Sequence, residues 1–303
     1  MSWRRLGLLS LDTANAGWAA THAALPVVEP VDGVVWNVYL SLRDEQGRAR
    51  IGRTRLTFAP TPCLAALDPD PVLDLGVLGA FDDSGVVTSC LVNDQERRLL
   101  YYTGWARGVT VPFYLTAGVA ISRDGHHFTR ISDGPLLDRN AVDPFLTASP
   151  FVLRDRSAWR MWYVSGSRWS ATDRGPRHDY HIRYAESADG LEWHRRGIVC
   201  LDYAAGTDEH AIGRPCVLPH DDGYSMWYSV RGERYVIGYA ESGDGVTWIR
   251  RDDVGGLLPS TQGWDSEMVE YPWVFERAGT RYMLYNGNGY GRTGVGLAVW
   301  EPQ

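Results

Sequence analysis

The chain repeats itself about every 60 residues, and this period limits what it can fold into more than any other property. The clearest copy opens at Asp265 with Asp-Ser-Glu-Met-Val-Glu-Tyr-Pro-Trp-Val-Phe-Glu-Arg and, after a polar turn, ends with Arg281-Tyr-Met-Leu-Tyr-Asn-Gly287. Pro272 anchors that copy. Pro26, Ser89, Pro150 and Pro215 anchor the earlier ones, and the spacings along the chain are 63, 61, 65 and 57 residues. A second aromatic run follows each anchor. Most copies add a third run, such as Arg183-Tyr-Ala-Glu-Ser187 or Gly238-Tyr-Ala-Glu-Ser242. An Asp-Gly turn comes next, at Asp124-Gly125, Asp189-Gly190 and Asp244-Gly245, where the chain needs a positive φ. A fourth run ends the unit: Phe128-Thr-Arg130, Trp193-His-Arg-Arg196 and Trp248-Ile-Arg-Arg251.

Four short strands per unit and five units predict an all-β, five-bladed β-propeller, one domain over residues 1–303. A sandwich of short strands offers no reason for the period. The last unit lacks its fourth run, and Trp3-Arg-Arg-Leu-Gly7 resembles Trp193 to Gly197. The N-terminal strand is therefore expected to close the last blade and cover its edge.

Charge and hydropathy exclude several functions. A net charge of −7 and a pI near 5.6 argue against a nucleic-acid surface. No apolar run has the length of a membrane span. The N-terminus is basic and then only briefly apolar, too short for a signal-peptide core, which predicts a cytoplasmic protein. Cys63, Cys90, Cys200 and Cys216 form no Cys-x-x-Cys pair, and Cys90 and Cys216 fall where buried thiols are expected. His178 and His181 sit in what reads as a long polar loop after Trp169. Without a third ligand they are not assigned a metal, and no cofactor is expected. Gly289-Tyr-Gly291-Arg-Thr-Gly294 has the spacing of a dinucleotide cradle, but an extended run follows it instead of a helix, so a hairpin is expected.

In a propeller the starts of the inner strands ring one mouth. Seven residues before the anchors stand Asp82, Asp143, Asp208 and Asp265, an acid position expected to accept backbone N–H groups at each turn. The acids that break the repeat, Asp83, Glu209, Glu267 and Glu270, are expected to gather in an acidic pocket where mutual repulsion raises some pKa values. His22 and His210 are candidate proton shuttles. Arg43, Arg214 and Arg231 are candidates for an anionic group, Arg214 alternatively pairing with Asp208 or Glu209. Trp105, Trp169 and Tyr271 are candidates for stacking on a sugar ring.

The Ala-x-Ser-x-Asp-Gly-x-x-Trp units and the blade count resemble the five-bladed propeller glycoside hydrolases, including the arabinanase/xylosidase, invertase/levansucrase and mannoside phosphorylase groups. Asp208-Glu-x-Ala-Ile-x-Arg-Pro215 and Tyr285-Asn-Gly-Asn288 look closest to uncharacterised bacterial members. The resemblance implies that Glu270, two residues before Pro272, is the general acid. It also implies an acid directly before the first anchor, where this chain has Leu25, and an Arg-Asp-Pro motif that this chain lacks. The expected function is a glycoside hydrolase-like enzyme that cleaves or transfers a glycosidic or related sugar-derived bond. Glu209, Glu267, Asp82 or Asp83 would serve as base or stabiliser. The alternatives are a phosphorylase or transferase using an anionic co-substrate, and a propeller recruited to another reaction or to ligand binding. The expected partner is a small-molecule or carbohydrate-derived substrate.

Overall fold

Apolar runs bounded by Asp-Gly and other turn residues become strands throughout the computed structural model, which describes residues 2–155 and 158–301. The strand β1 (Ser2–Leu9) comes first. It is followed by β2 (Thr21–Pro30), β3 (Val35–Arg43), β4 (Ala49–Thr57) and β5 (Cys63–Leu64). Next are β6 (Gly85–Asp94), β7 (Arg97–Arg107), β8 (Phe113–Ser122) and β9 (Thr129–Arg130), then β10 (Thr147–Asp155), β11 (Ala158–Thr172), β12 (Gly175–Ser187) and β13 (His194–Leu201). The chain ends with β14 (Ala211–His220), β15 (Gly223–Arg231), β16 (Tyr235–Ser242) and β17 (Ile249–Arg250), then β18 (Glu270–Arg277), β19 (Thr280–Asn286) and β20 (Val295–Glu301).

Each group is an antiparallel meander. Single parallel bridges, Ala49 to Gly85 and Tyr180 to Ala211, join four of the meanders in pairs. The remaining sheet runs β1-β20-β19-β18, so the N-terminal strand supplies its outer edge, with Trp3 opposite Trp300. The first strand of each meander packs beside the first strand of the next, and β18 packs beside β2.

The acid seven residues before the anchor works differently from expectation. Asp82 is fully buried and accepts from the Tyr102 hydroxyl (2.9 Å) and Arg130 Nε (2.7 Å), with no backbone N–H involved. Asp143 accepts from Tyr163 (3.0 Å) and Arg195 (2.9 Å), and Asp265 from Tyr285 (2.9 Å) and Arg5 (2.8 Å). Each trio ties the entry to a unit's first strand to its second and fourth strands, and Arg5 does so from β1. In the fourth meander Asp208 is exposed and binds the Glu233 backbone N–H instead. Asp252 takes its place, accepting from Tyr228 (2.6 Å) and Arg250 (2.9 Å). The tyrosine ring lies across the neighbouring strand, where Gly118 and Gly238 leave no room for a Cβ.

The Asp-Gly turns hold as hairpins. Gly125, Gly190 and Gly245 have φ of 73°, 79° and 76°. Their carbonyls accept from Tyr39 (3.1 Å), Tyr101 (2.9 Å) and Trp162 Nε1 (2.7 Å) of the preceding meander. The aromatic core thus also sets the register between sheets. The glycine-rich stretch after β19 is a hairpin with one short turn, in which Gly289 and Tyr290 are left-handed (φ 69° and 61°). The stretch expected as a loop after Trp169 is paired strand as far as Thr172 opposite Gly175. Cys90, Cys200 and Cys216 are buried free thiols and Cys63 is exposed.

Replacing Asp143 with Ala strands Arg183, Arg195 and the Tyr163 hydroxyl and is expected to cost about 3–5 kcal/mol. Asp208→Ala, at the matching sequence position, is expected to cost about 1 kcal/mol or less, one exposed hydrogen bond. Urea unfolding of both variants measures the contrast, and equal losses would contradict the substitution of Asp252 for Asp208.

Candidate functional site

The residue before each anchor proline lies in the left-handed region: Leu25 (φ 52°), Ser149 (46°), Arg214 (54°) and Tyr271 (57°). Left-handed backbone is unfavourable for a side-chain-bearing residue and more so before proline, about 1–3 kcal/mol each. It coincides with a register shift in β2, β10, β14 and β18.

Glu270 is the first residue of β18, opposite Asn286 of β19 and just ahead of this bulge. Its side chain is completely buried, and neither carboxylate oxygen has a hydrogen-bond partner. Burial pushes the carboxyl well above the usual range; Tyr271 and the charges of Arg231 and Arg43 oppose the rise without cancelling it. Tyr271, adjacent in sequence, lines a pocket of about 70 Å³ together with His22, Leu25, Ser41, Arg43 and Tyr290. A larger cavity of about 320 Å³ shares His22 and is bordered by Arg292 and Thr293.

Aromatic side chains extend the site from the pocket. Tyr290 packs edge-on to Tyr235 (6.0 Å), whose hydroxyl is 2.8 Å from that of Tyr180. His178 stacks on Tyr180 (5.2 Å) and against Trp169 (5.0 Å). The Arg231 guanidinium lies 5.3 Å from the centre of the Tyr235 ring. Burial pushes His22 down to about 4, and the charges of Arg43 and Arg292 add to the effect. His178 is also pushed down to about 4 by burial, then by Arg231 and His210. Both imidazoles are therefore neutral at pH 7 and able to accept a proton.

Of the residues singled out in the sequence, Glu270, His22, Arg43, Arg231 and Tyr271 come together here. Trp169 joins through His178, and His210 lies beside His178 and Arg231 with a buried, unpartnered Nε2. The others do not. Asp82 is committed to Tyr102 and Arg130. Asp83 holds its own turn, accepting from the Gly79 N–H and the Ser84 hydroxyl. Glu209 accepts from Arg250 (2.7 and 2.9 Å) and the Ala204 N–H; these bonds outweigh burial and hold its carboxyl below the usual range. Glu267 is exposed, with no side-chain hydrogen bond or ion pair among the described residues. Trp105 packs over Gly85. Arg214 is buried and donates to the carbonyls of Thr88 (3.0 Å), Ser89 (2.7 Å) and Pro26 (3.2 Å), so it joins three first strands instead of binding ligand or pairing with Asp208 or Glu209. His178 and His181 lie on a strand, and their odd spacing sends them to opposite faces. The expected acidic pocket is basic and aromatic, with one carboxyl behind it. Sequence reasoning missed Tyr180, Tyr235, Tyr290 and Arg292. For the last two the available signal was the glycine-rich hairpin that carries them.

The fold is shared with glycoside hydrolases of propeller-type families. A structure titled "Glycoside hydrolase" matches with a TM-score of 0.76 at 18% identity, over 99% of this chain and 92% of that one. A thermostable family-43 glycoside hydrolase matches at 0.70 and 16%, over 96% of both chains. A member of the GH130 family of mannoside phosphorylases, whose title describes glycoside hydrolases targeting β-1,2 mannosidic linkages, matches at 0.71 and 16%, over 94% and 86%. At these identities the likeness is one of fold. No family model matches the sequence. The chain belongs to the family of two Mycobacterium tuberculosis proteins, both named as uncharacterized: MT1551 of strain CDC 1551 / Oshkosh, 43% identical, and Rv1502 of strain H37Rv, 42% identical. Each alignment covers 99% of this chain and the full length of the relative. No helix among the described residues is long and apolar enough to cross a membrane.

Because the folded state holds a proton on Glu270 that the unfolded chain releases above about pH 4.5, this group's contribution to stability is lost as pH rises from there toward the folded pKa. Glu270→Gln removes the loss. Its melting temperature is expected to exceed that of the wild type at pH 8 by more than at pH 5, and a constant difference would contradict the raised carboxyl. His22 and His178 act in the opposite direction: stability is expected to fall as pH drops from about 6.5 to about 4, with a smaller fall in His178→Gln.

Proposed function

We propose that residues 1–303 form a single five-bladed β-propeller that acts on a glycosidic or related sugar-derived bond, with Glu270 as the proton donor. The cyclic packing of the five first strands supports the blade count. The observation that carries the function is a fully buried, unpartnered carboxyl behind the pocket at the level of the bulges, in a fold shared with glycoside hydrolases. A carboxyl kept neutral there can protonate a leaving-group oxygen as its bond to the anomeric carbon breaks.

Such hydrolases ordinarily pair two carboxylates. Here Leu25 occupies the pocket wall where a second acid is expected, and His22 is the group suited to the complementary role. In the tautomer whose Nδ1–H donates to the Thr21 hydroxyl (3.0 Å), Nε2 is free to take the proton of an attacking water. Arg43, which forms no ion pair among the described residues, also favours a second reading, in which phosphate replaces water as the nucleophile and a sugar phosphate is released.

Glu270→Gln is expected to lower turnover about 10²- to 10⁴-fold on a cleavable aryl glycoside or disaccharide while the melting curve stays cooperative. A variant with the wild-type rate would remove Glu270 from the chemistry. Requirement for inorganic phosphate, with a sugar phosphate as product, would select the second reading.

A further inference from the structure

The chain contains no lysine; all of its basic side chains other than histidine are arginines. Apart from Arg214, which bonds three carbonyls, the arginines that tie the meanders together are paired with acids. Arg5 meets Asp265, Arg50 meets Asp44 and Asp74, Arg130 meets Asp82, Arg195 meets Asp143, and Arg250 meets Glu209 and Asp252. Arg43, Arg231 and Arg292 are different. None has a carboxylate within ion-pair distance among the described residues, and all three border the candidate site. Arg43 lines the smaller pocket. Arg292 lines the larger cavity, and both act electrostatically on His22, the residue the two spaces share. Arg231 and Arg43 both act on Glu270, which is buried without a hydrogen-bond partner.

The local charge is therefore opposite in sign to that of the protein, which carries −7 overall. Arg43 and Arg292 each line one of the two spaces that meet at His22, with Arg231 behind them over the Tyr235 ring, so planar, forked donors face a space a ligand can enter. Guanidinium forks match planar or tetrahedral oxyanions with paired hydrogen bonds. A neutral sugar uses hydroxyl partners and gains little from such an arrangement.

We infer that the sugar recognised at this site carries its own compact oxyanion, a carboxylate or a phosphate ester, held at the His22 junction between Arg43 and Arg292 with Arg231 completing the basic wall. This rests on the proposed carbohydrate function for the ligand's class but not on catalysis. The oxyanion belongs to the substrate and not to an attacking co-substrate. The aromatic side chains Tyr271 and Tyr290 are then left for the sugar ring.

Calorimetric titration of the full chain carrying Glu270→Gln tests binding apart from turnover. The ligands are glucuronate, glucose 6-phosphate, glucose and inorganic phosphate. At least one charged sugar is expected to bind about 10- to 100-fold tighter than glucose, the worth of one or two charge-assisted hydrogen bonds. Which of the two does so identifies the oxyanion. The advantage is expected to disappear in Arg43→Gln and Arg292→Gln and to persist in Arg97→Gln, which removes a charge from the β6–β7 turn. Equal binding of glucose and both charged sugars, binding of inorganic phosphate alone, or no binding of any sugar would each overturn the inference. Wild-type turnover in Glu270→Gln with the charged-sugar preference intact would count against the proposed chemistry and leave this inference standing.

Discussion

The arrangement depends on how one backbone N–H is satisfied in four of the units. A bulge before the anchor, left-handed at Leu25, Ser149 and Tyr271 and a plain register shift at Thr88, turns a strand N–H out of its own ladder, and the preceding meander takes it up with a short polar side chain from its second strand. Thr88 N donates to Ser41 (2.9 Å), Ser149 N to Thr103 (2.8 Å), Tyr271 N to Ser229 (2.9 Å) and Leu25 N to Asn286 (2.8 Å). A buried N–H left unpaired costs about 1–3 kcal/mol, comparable to the strain of the bulge itself. The two features persist together because each offsets the other. Asn286 closes the circuit from the last unit to the first, and its amide also donates to Ala23 O (2.7 Å) and Gly294 O (2.8 Å). This is a larger task than Ser or Thr performs elsewhere, and it accounts for the longer side chain at the closing position.

The same device explains why the candidate site lies at this level of the fold. With the backbone held by the neighbouring unit, the bulged residue's side chain is free to differ from one unit to the next. Leu25 and Tyr271 line the pocket, whereas Arg214 fills the middle by bonding three carbonyls. A guanidinium so engaged contributes to the scaffold what a salt bridge would, without requiring a buried acid. It leaves Glu270 as the buried carboxyl without a partner beside the pocket.

Much of the fold was legible because its punctuation is chemical. Proline marks the bulge, glycine the hairpin, and Trp-x-Arg the outer strand whose arginine meets the buried acid. The acid itself was visible at Asp82, Asp143 and Asp265, but its partners were not, because Tyr102 and Arg130 lie 20 and 48 residues away from Asp82. Asp208 shows how position can mislead: the residue is conserved in the repeat, yet Asp252, from a turn after the outer strand, does the work. The candidate site was read less well. Acids near the strand entries were expected to converge, but a side chain one residue away along a turn can face another way. Glu209 faces Arg250 on the outer strand, and Asp83 faces its own turn. Direction is set by contacts among distant strands, which a repeat pattern does not encode. The tyrosines escaped notice because each belongs to a different unit and none repeats, and Arg292 because it shares the hairpin of Tyr290, which has no counterpart in the other units.

The basic, aromatic surroundings of Glu270 alter what one acid can do. Repulsion between carboxylates, expected from the sequence, is not the cause of its raised pKa; burial is. An acid raised by repulsion returns to its ordinary range when its neighbour is protonated or removed. An acid raised by burial returns only when water or a polar ligand reaches it. The opposing influence of Arg43 and Arg231 means that a bound oxyanion, by cancelling their charge, would push Glu270 further toward its neutral form. Occupation of the basic wall and readiness of the proton are thereby coupled through charge, with no movement of the scaffold needed. A neutral ligand filling the same space would leave the arginines charged and the carboxyl less ready to hold its proton.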